Sequence, residues 1–265
     1  TNTYATGAKI LAIANETWGD LNSDDDDAPT QLRFYTQSNG DTDALSGARM
    51  TIDSSGNVGI GTTVPNKDLS VNSNDGGVIG LNRDDTAITD GNALGKIIFG
   101  GDDPSDGTFQ EGAAIYGLSD GLWDTNDCGA NITFLTCADG ANTLTEHMRI
   151  MDDGKIGIGD AAPDFLLCLN QAAGDGGILS FKSSDVAHGM TSILETDSYA
   201  RFLKIAGDYG GLKVDGYVET GESSAVVIEG NGVDEDATRT TSSRGIIELR
   251  SYIKSTATHG GMSGD

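Results

Sequence analysis

Two stretches of the chain repeat one pattern of glycines and aliphatic residues. Residues 56–61 have the sequence Gly-Asn-Val-Gly-Ile-Gly, and residues 154–159, which lie 98 positions later, have the sequence Gly-Lys-Ile-Gly-Ile-Gly. A proline follows each stretch after three residues, Pro65 in the first copy and Pro163 in the second. Internal repetition is typical of folds built from repeated structural units, so it constrains the architecture more than any other feature of the sequence.

The repeat extends to both sides of the glycine-rich stretch. The offset between the copies falls from 105 residues near the start of the chain to 98, which places length changes in the loops. The repeated positions are Trp18, Met50, Ile52, Gly56, Val58, Gly59, Ile60, Gly61 and Pro65 in the first copy, and Trp123, Met148, Ile150, Gly154, Ile156, Gly157, Ile158, Gly159 and Pro163 in the second. We predict a first repeat over residues 1–75, a second over 76–174, and a degenerate third repeat with a C-terminal tail over 175–265.

Apolar and polar residues alternate within each copy. Met50 and Ile52 flank a threonine, and Val58 and Ile60 flank a glycine. A period of two is typical of β-strands with one buried face. Turn clusters rich in Asp, Ser and Gly separate the alternating runs, and no convincing helical periodicity is longer than about two turns. The sequence therefore predicts an all-β fold.

Each copy has few residues with which to build a core. Aromatic residues make up 6% of the chain, so the apolar strand faces need a covering surface. Association of several chains around a common axis would supply one. Glycines at alternate positions, Gly59 and Gly61, would let backbones approach closely at a crowded symmetry axis or in a tight β-helical coil. An ordinary glycine-rich hairpin is the alternative.

The chain is strongly acidic. It contains 41 Asp plus Glu against 16 Lys plus Arg, for a formal net charge of -25. Of these acids 32 are aspartates, which favour turns, although adaptation to a saline habitat would also produce such a surface. The charge disfavours binding to nucleic acid. A mean hydropathy of -0.27 predicts no membrane insertion.

Two short motifs match the residue spacing of a catalytic and a cofactor-binding signature, but their sequence context does not fit either signature. Residues 117–121 spell G-x-S-x-G, but Ala14 takes the place of Ser119 in the first copy, which favours a turn serine. Residues 157–162 spell G-x-G-x-x-A, but a proline and no amphipathic helix follows. The histidines and cysteines lack the spacing of metal ligands. We therefore predict no catalytic residues, no cofactor and no enzymatic activity.

Two further features are candidate binding sites. A run of four carboxylates could bind Ca²⁺, although it lacks the spacing of a calcium loop and a solvated loop is the alternative. These residues are Asp24, Asp25, Asp26 and Asp27. Trp18 and Trp123 could stack on sugars, whereas their recurrence at equivalent positions favours packing at a strand end.

The block of residues 49–65, Arg-Met-Thr-Ile-Asp-Ser-Ser-Gly-Asn-Val-Gly-Ile-Gly-Thr-Thr-Val-Pro, resembles the repeat of tail fibre proteins of tailed bacteriophages. The upstream pattern of Gly-Ala-x-Ile, tryptophan and Leu/Ile-x-Phe-x-Thr resembles it too. The two copies cover about residues 5–182. The second copy departs from the pattern at His147 and at residues 160–162, but it keeps the glycines and the apolar positions.

The resemblance implies an elongated, repeat-built fibre segment made of β-helix, β-prism or small β-sandwich units and intertwined as a homotrimer. It implies a structural and adhesive role in the virion tail after synthesis in the host cytoplasm. Such a fibre would join other tail or baseplate proteins and attach to a glycan or protein on the host cell surface. The alternatives are a bacterial extracellular surface filament or adhesin, and a tailspike that depolymerises a host polysaccharide.

Overall fold

The computed structural model describes residues 7–14, 30–37, 45, 47–174, 176–208, 210–219, 225–228, 252–255 and 258–261. The regular secondary structure in these ranges consists of β-strands, so the predicted all-β class is confirmed. Within these ranges no helix is long and apolar enough to cross a membrane. The chain divides into two units, Thr1–Thr86 with Ala93–Lys96, and Ala87–Asn92 with Ile97–Asp265, and each is described by itself.

The described ranges contain sixteen strands. They are β1 (Ala8–Ala14), β2 (Thr30–Thr36), β3 (Met50–Ile52), β4 (Val58–Ile60), β5 (Leu69–Val71), β6 (Ala93–Asp102), β7 (Phe109–Ser119), β8 (Ala130–Cys137), β9 (Leu144–Ile150), β10 (Ile156–Ile158), β11 (Leu167–Leu169), β12 (Gly177–Lys182), β13 (Ser198–Ala206), β14 (Gly210–Gly216), β15 (Tyr252–Ser255) and β16 (Thr258–Gly261).

The first unit contains a five-stranded sheet with the strand order β1-β2-β3-β4-β5. Neighbouring strands are antiparallel except for β4 and β5, which are parallel. Asp53 closes the turn between β3 and β4, because its carboxylate accepts hydrogen bonds of 2.9 Å from the backbone N–H groups of both Ser55 and Asn57. A side chain thereby closes this turn in the first copy, whereas Met151 takes the position of Asp53 in the second.

The second unit contains the same arrangement in β7-β8-β9-β10-β11. The strand order of this sheet also includes β6, of which Ala93–Lys96 belong to the first unit. The registers are equivalent, since Met50 lies opposite Ile60 in the first sheet and Met148 lies opposite Ile158 in the second. The strands β10 and β11 are parallel, like β4 and β5. The repeated residues thus occupy matching positions in two sheets, while the predicted repeat boundaries stay a prediction.

The remaining strands form smaller antiparallel sheets. One has the order β12-β13-β14, and the strands β15 and β16 pair with each other. These strands fall in residues 175–265, for which the sequence predicts a degenerate third repeat. That assignment also stays a prediction.

A short loop joins each parallel pair, and a glycine makes room for it. A Cβ atom added at Gly59 would lie 2.6 Å from the carbonyl oxygen of Thr62, and one added at Gly157 would lie 1.9 Å from the carbonyl oxygen of Asp160. These distances are too short for any side chain. We call residues 61–68 and 159–166 the crossover loops, since each folds back over one face of its own sheet.

A second glycine in each copy lies where its loop begins. Gly61 has a φ of 71° and Gly159 a φ of 69°, so both have left-handed backbones. A Cβ atom added at these positions would lie 2.1 Å from the carbonyl oxygen of Asn72 and 2.2 Å from that of Asn170. The close approach predicted for the glycines therefore occurs within one chain, and it does not by itself require a symmetry axis.

We expect the substitution Gly59→Ala to destabilise the protein by about 1–3 kcal/mol, because the added methyl group would overlap the crossover loop. Gly47→Ala is the matched control, since a Cβ atom there would meet no atom within 4 Å. Urea unfolding of both variants measures the difference. Equal unfolding midpoints would show that the loop does not lie against Gly59.

Candidate assembly interface

The central part of one face of the first sheet consists of apolar residues, with Thr30 and Thr36 at the two ends of β2. Two rows of directly opposed residues cross this face. The first row is Ile10, Phe34, Met50, Ile60 and Val71, and the second is Ala12, Leu32, Ile52, Val58 and Leu69. None of these ten residues is buried. We call this surface the first apolar face.

The second sheet has an equivalent surface, which we call the second apolar face. Its rows are Ile115, Phe134, Met148, Ile158 and Leu169, followed by Gly117, Ile132, Ile150, Ile156 and Leu167. None of these side chains is fully removed from solvent, and Ile132 is 45% exposed. The two copies of the repeat therefore share an apolar surface as well as the glycine-rich sequence motif.

The exposure of these faces is large for aliphatic side chains. Ile10 is 68% exposed in the first face and Leu167 is 57% exposed in the second. The buried hydrophobic residues among those described are Tyr35, Leu45, Ile88, Ala114 and Tyr217, and none of them belongs to either face. Full burial of one such aliphatic side chain is worth about 1.5–3 kcal/mol. A contiguous apolar surface of this kind marks an interaction site.

The opposite face of the first sheet is covered by the chain itself. Thr51, Gly59 and Ser70 lie side by side there, and all three are buried. The Ser70 hydroxyl accepts hydrogen bonds from the backbone N–H groups of Asn66 and Lys67, at 3.1 and 3.3 Å. The sheet is therefore closed by its own crossover loop on one side and left open on the other.

The second sheet has the same asymmetry with different side chains. Cys168 takes the position of Ser70, and its sulfur lies 3.5 Å from the backbone nitrogen of Phe165 in the crossover loop. Pro65 and Pro163 are buried in the two loops. Buried prolines fix the loop backbone, so the covered face is determined locally in both repeats.

In both sheets an arginine lies directly opposite a threonine on the neighbouring strand. The strand that carries the arginine in one sheet corresponds to the strand that carries the threonine in the other. Arg33 on β2 lies opposite Thr51 on β3, whereas Thr133 on β8 lies opposite Arg149 on β9. Both threonines are fully buried, and their hydroxyl oxygens have no hydrogen-bond partner among the described residues. Arg149 donates two hydrogen bonds of 2.8 Å to Glu146. This pair was not predicted from the sequence, although an exchange of Arg and Thr between the aligned copies was its signal.

The serine of the G-x-S-x-G motif has a structural role. Ser119 is the last residue of β7 and is buried. Its hydroxyl donates a 2.5 Å hydrogen bond to the carbonyl oxygen of Thr89 and accepts one of 3.0 Å from the backbone N–H of Asn92. The hydroxyl thus ties the segment before β6 to the end of β7, and Ser119 lies in a strand, where the sequence predicts a turn.

Trp123 lies in the loop that connects β7 and β8. Its indole N–H donates a 2.7 Å hydrogen bond to the carbonyl oxygen of Gly129, and the ring is half-buried. Trp18 lies outside the described residues, and so do all four aspartates at 24–27. No group of three or more His, Cys, Asp or Glu in the described ranges is arranged to hold a metal ion. The calcium and sugar-stacking sites stay predictions.

The small sheet of β12, β13 and β14 is held by a polar cluster. The Arg201 guanidinium lies 2.9 Å from a carboxylate oxygen of Asp215, which also accepts a 3.1 Å hydrogen bond from the Tyr217 hydroxyl. Burial opposes ionisation of Asp215, but hydrogen bonds from Lys213, Arg201 and Tyr217 lower its pKa. The buried His188 ring stacks on Tyr217 at 5.3 Å. Neither apolar face contains such a charged cluster.

Comparison with known proteins gives a limited result. No protein-family profile matches the chain, and no curated protein matches it. The solved carboxy-terminal domain of the bacteriophage T5 L-shaped tail fibre is 12% identical over 70% of this chain and 82% of that one, with a TM-score of 0.28. The same domain with its intra-molecular chaperone domain is 12% identical over 71% and 57%, with a TM-score of 0.26. These TM-scores are too low to establish a common fold.

The carboxylate of Asp120 belongs to the residue that directly follows β7 in the second sheet. Burial raises its pKa, and the nearby carboxylates of Asp152 and Asp90 raise it further. An acid whose folded-state pKa is raised destabilises the fold when ionised, and this cost disappears as the pH falls through that pKa. We therefore expect Asp120→Asn to raise the melting temperature by about 1–3 °C at pH 7 and to have no such effect near pH 3.

Asp139→Asn is the matched control for this substitution, because it removes a charge from an exposed turn. Differential scanning calorimetry of both variants at the two pH values makes the comparison. A gain in stability for Asp120→Asn that is independent of pH would contradict the electrostatic explanation.

Proposed function

We propose that the chain is a structural and adhesive fibre subunit, in which three copies bury their apolar faces against one another. The observation that supports this most strongly is the pair of apolar faces, whose residues all remain unburied in the single chain. Three sheets arranged as a prism would turn each set of apolar faces into a common core. A face-to-face pair of chains is the other closed arrangement, and the mass of the assembly separates the two.

The charge distribution favours assembly along one axis without lateral association. The apolar faces contain no charged residue, whereas the turns between strands carry aspartates such as Asp53 and Asp153. With a net charge of -25 per chain, neighbouring fibres would repel one another. A fibre of this kind would stay separate and soluble.

The proposed biological role is attachment of a phage tail to a host cell. The resemblance of residues 49–65 to tail fibre repeats supports this role, and a fibre needs no catalytic group to perform it. The fibre would extend from the virion tail, contact other tail or baseplate proteins, and bind a glycan or protein on the cell surface. Three weak sites on one stalk would bind by avidity, which can exceed a single affinity by about 10²–10⁴-fold.

A charge placed on the apolar faces is expected to separate the chains. The double variant Ile60→Asp/Ile158→Asp puts one carboxylate on each face, and an unpaired charge costs several kcal/mol when it is buried. The control Ser55→Asp/Thr143→Asp adds the same charge at exposed positions. Sedimentation velocity is expected to show single chains for the first variant and the wild-type assembly for the second. Retention of the wild-type mass by both variants would contradict the proposed interface.

Attachment can be tested with the same proteins. Fluorescently labelled wild-type chain is incubated with a panel of bacterial strains, and binding is measured by flow cytometry. We expect the wild type to bind at least one strain, and the separated variant to lose about 10²-fold or more in apparent affinity. Equal binding by both would contradict attachment through avidity. Release of reducing ends from the polysaccharide of a bound strain would favour the depolymerase instead.

A further inference from the structure

The segments that follow β5 and β11, the last strands of the two large sheets, differ in structure. Residues 76–81 have the sequence Gly-Gly-Val-Ile-Gly-Leu, and residues 176–181 have the related sequence Gly-Gly-Ile-Leu-Ser-Phe. The segment after β11 forms β12, which pairs antiparallel with β13. Leu179, for example, lies opposite Phe202. The sequence pattern is therefore able to form a strand when a partner is present.

The segment after β5 has no strand partner among the described residues. Residues 72–86 contain no strand, and the backbone groups of residues 78–82 make no hydrogen bond to any part of the chain that the structure describes. The side chains are also uncovered, since Val78 is 83% exposed and Ile79 is 64% exposed. Peptide groups and aliphatic side chains are thus left unpaired at the same place.

Both ends of the segment contact strands of its own unit. A Cβ atom added at Gly77 would lie 1.9 Å from the carbonyl oxygen of Val71, the last residue of β5. A Cβ atom added at Gly95 would lie 2.6 Å from the carbonyl oxygen of Leu81. Two glycines therefore allow the ends of the segment to lie against β5 and β6, while its middle remains accessible.

We propose that residues 77–82 are a strand whose partner is supplied by a second copy of the chain. The inference rests on the proposed fibre, because only an assembly of chains places a neighbouring copy beside this segment. Residues 77–82 contain no Lys, Glu or Pro, the residues that natural proteins use to protect exposed strand edges. Such an edge is completed by addition of a strand from another chain, with main-chain hydrogen bonds supplying the affinity.

The intermolecular strand pairing is tested by hydrogen–deuterium exchange with mass spectrometry on the full chain. In the assembled wild type, the amides of residues 78–82 are expected to exchange on the order of 100-fold more slowly than in the separated Ile60→Asp/Ile158→Asp variant. The exposed turn at residues 138–143 is the internal control, and its exchange is expected to be the same in both proteins.

Two outcomes overturn this inference, and they are distinguishable. A wild type that assembles but whose amides at 78–82 exchange as fast as in the separated variant overturns the strand pairing and leaves the fibre in place. A wild type that has the mass of a single chain overturns the proposed function together with the strand pairing.

Proline substitution separates strand pairing from simple side-chain burial. Alternate amides of an edge strand face the partner, so one of Val78→Pro and Ile79→Pro removes a hydrogen bond of the ladder. Val78→Thr and Ile79→Thr keep the amide and the β-branched shape. We expect at least one proline variant to weaken assembly about tenfold more than its threonine control, measured by dilution in sedimentation experiments. If the proline variant and its threonine control weakened assembly equally, at position 78 and at position 79, strand pairing would be overturned.

Discussion

The rest of the structure depends on the fact that each of the two large sheets has one face whose apolar rows the chain does not cover. Alternation along the strands puts Met50 and Ile52 on that face and Thr51 on the other. On β3, β4 and β5 the covered face holds Thr51, Gly59 and Ser70 under the crossover loop, whereas the open face holds aliphatic residues and Met50. In the proposed fibre, the apolar faces of neighbouring copies would remove these side chains from water.

The glycines of the repeat explain which face of each sheet the chain covers. Gly59 and Gly157 allow a crossover loop to lie directly on one face, so that face is filled by backbone and by the buried prolines. The parallel pairing of β4 with β5 follows from the same loop, since the chain returns in the same direction after only a few residues. The glycines of the motif therefore make room for the crossover loop, and its aliphatic residues lie on the open face, which is the surface of the proposed assembly.

Much of this arrangement could be predicted from the sequence, because period-two alternation and recurring glycines act locally. The strands around Met50 and Val58 and the close approach at the glycines followed from those signals. The sequence did not indicate which backbone the glycines approach. A symmetry axis between chains and a crossover loop within one chain would both need positions without a side chain. The different pairing of residues 76–81 and 176–181 was also not predictable, because it depends on β13, which only the second segment has nearby in the chain. Predicting that Arg33 lies opposite Thr51 would have required the register between β2 and β3.

The mass of the wild-type protein in solution tests the central claim most directly. Multi-angle light scattering after size-exclusion chromatography measures it independently of molecular shape. A trimer has a mass of about 82 kDa, three times the chain mass of 27.4 kDa, and this is the value that we predict. A mass of 27.4 kDa that persists at high protein concentration would contradict the claim, because the apolar faces would then be stable in water without a partner.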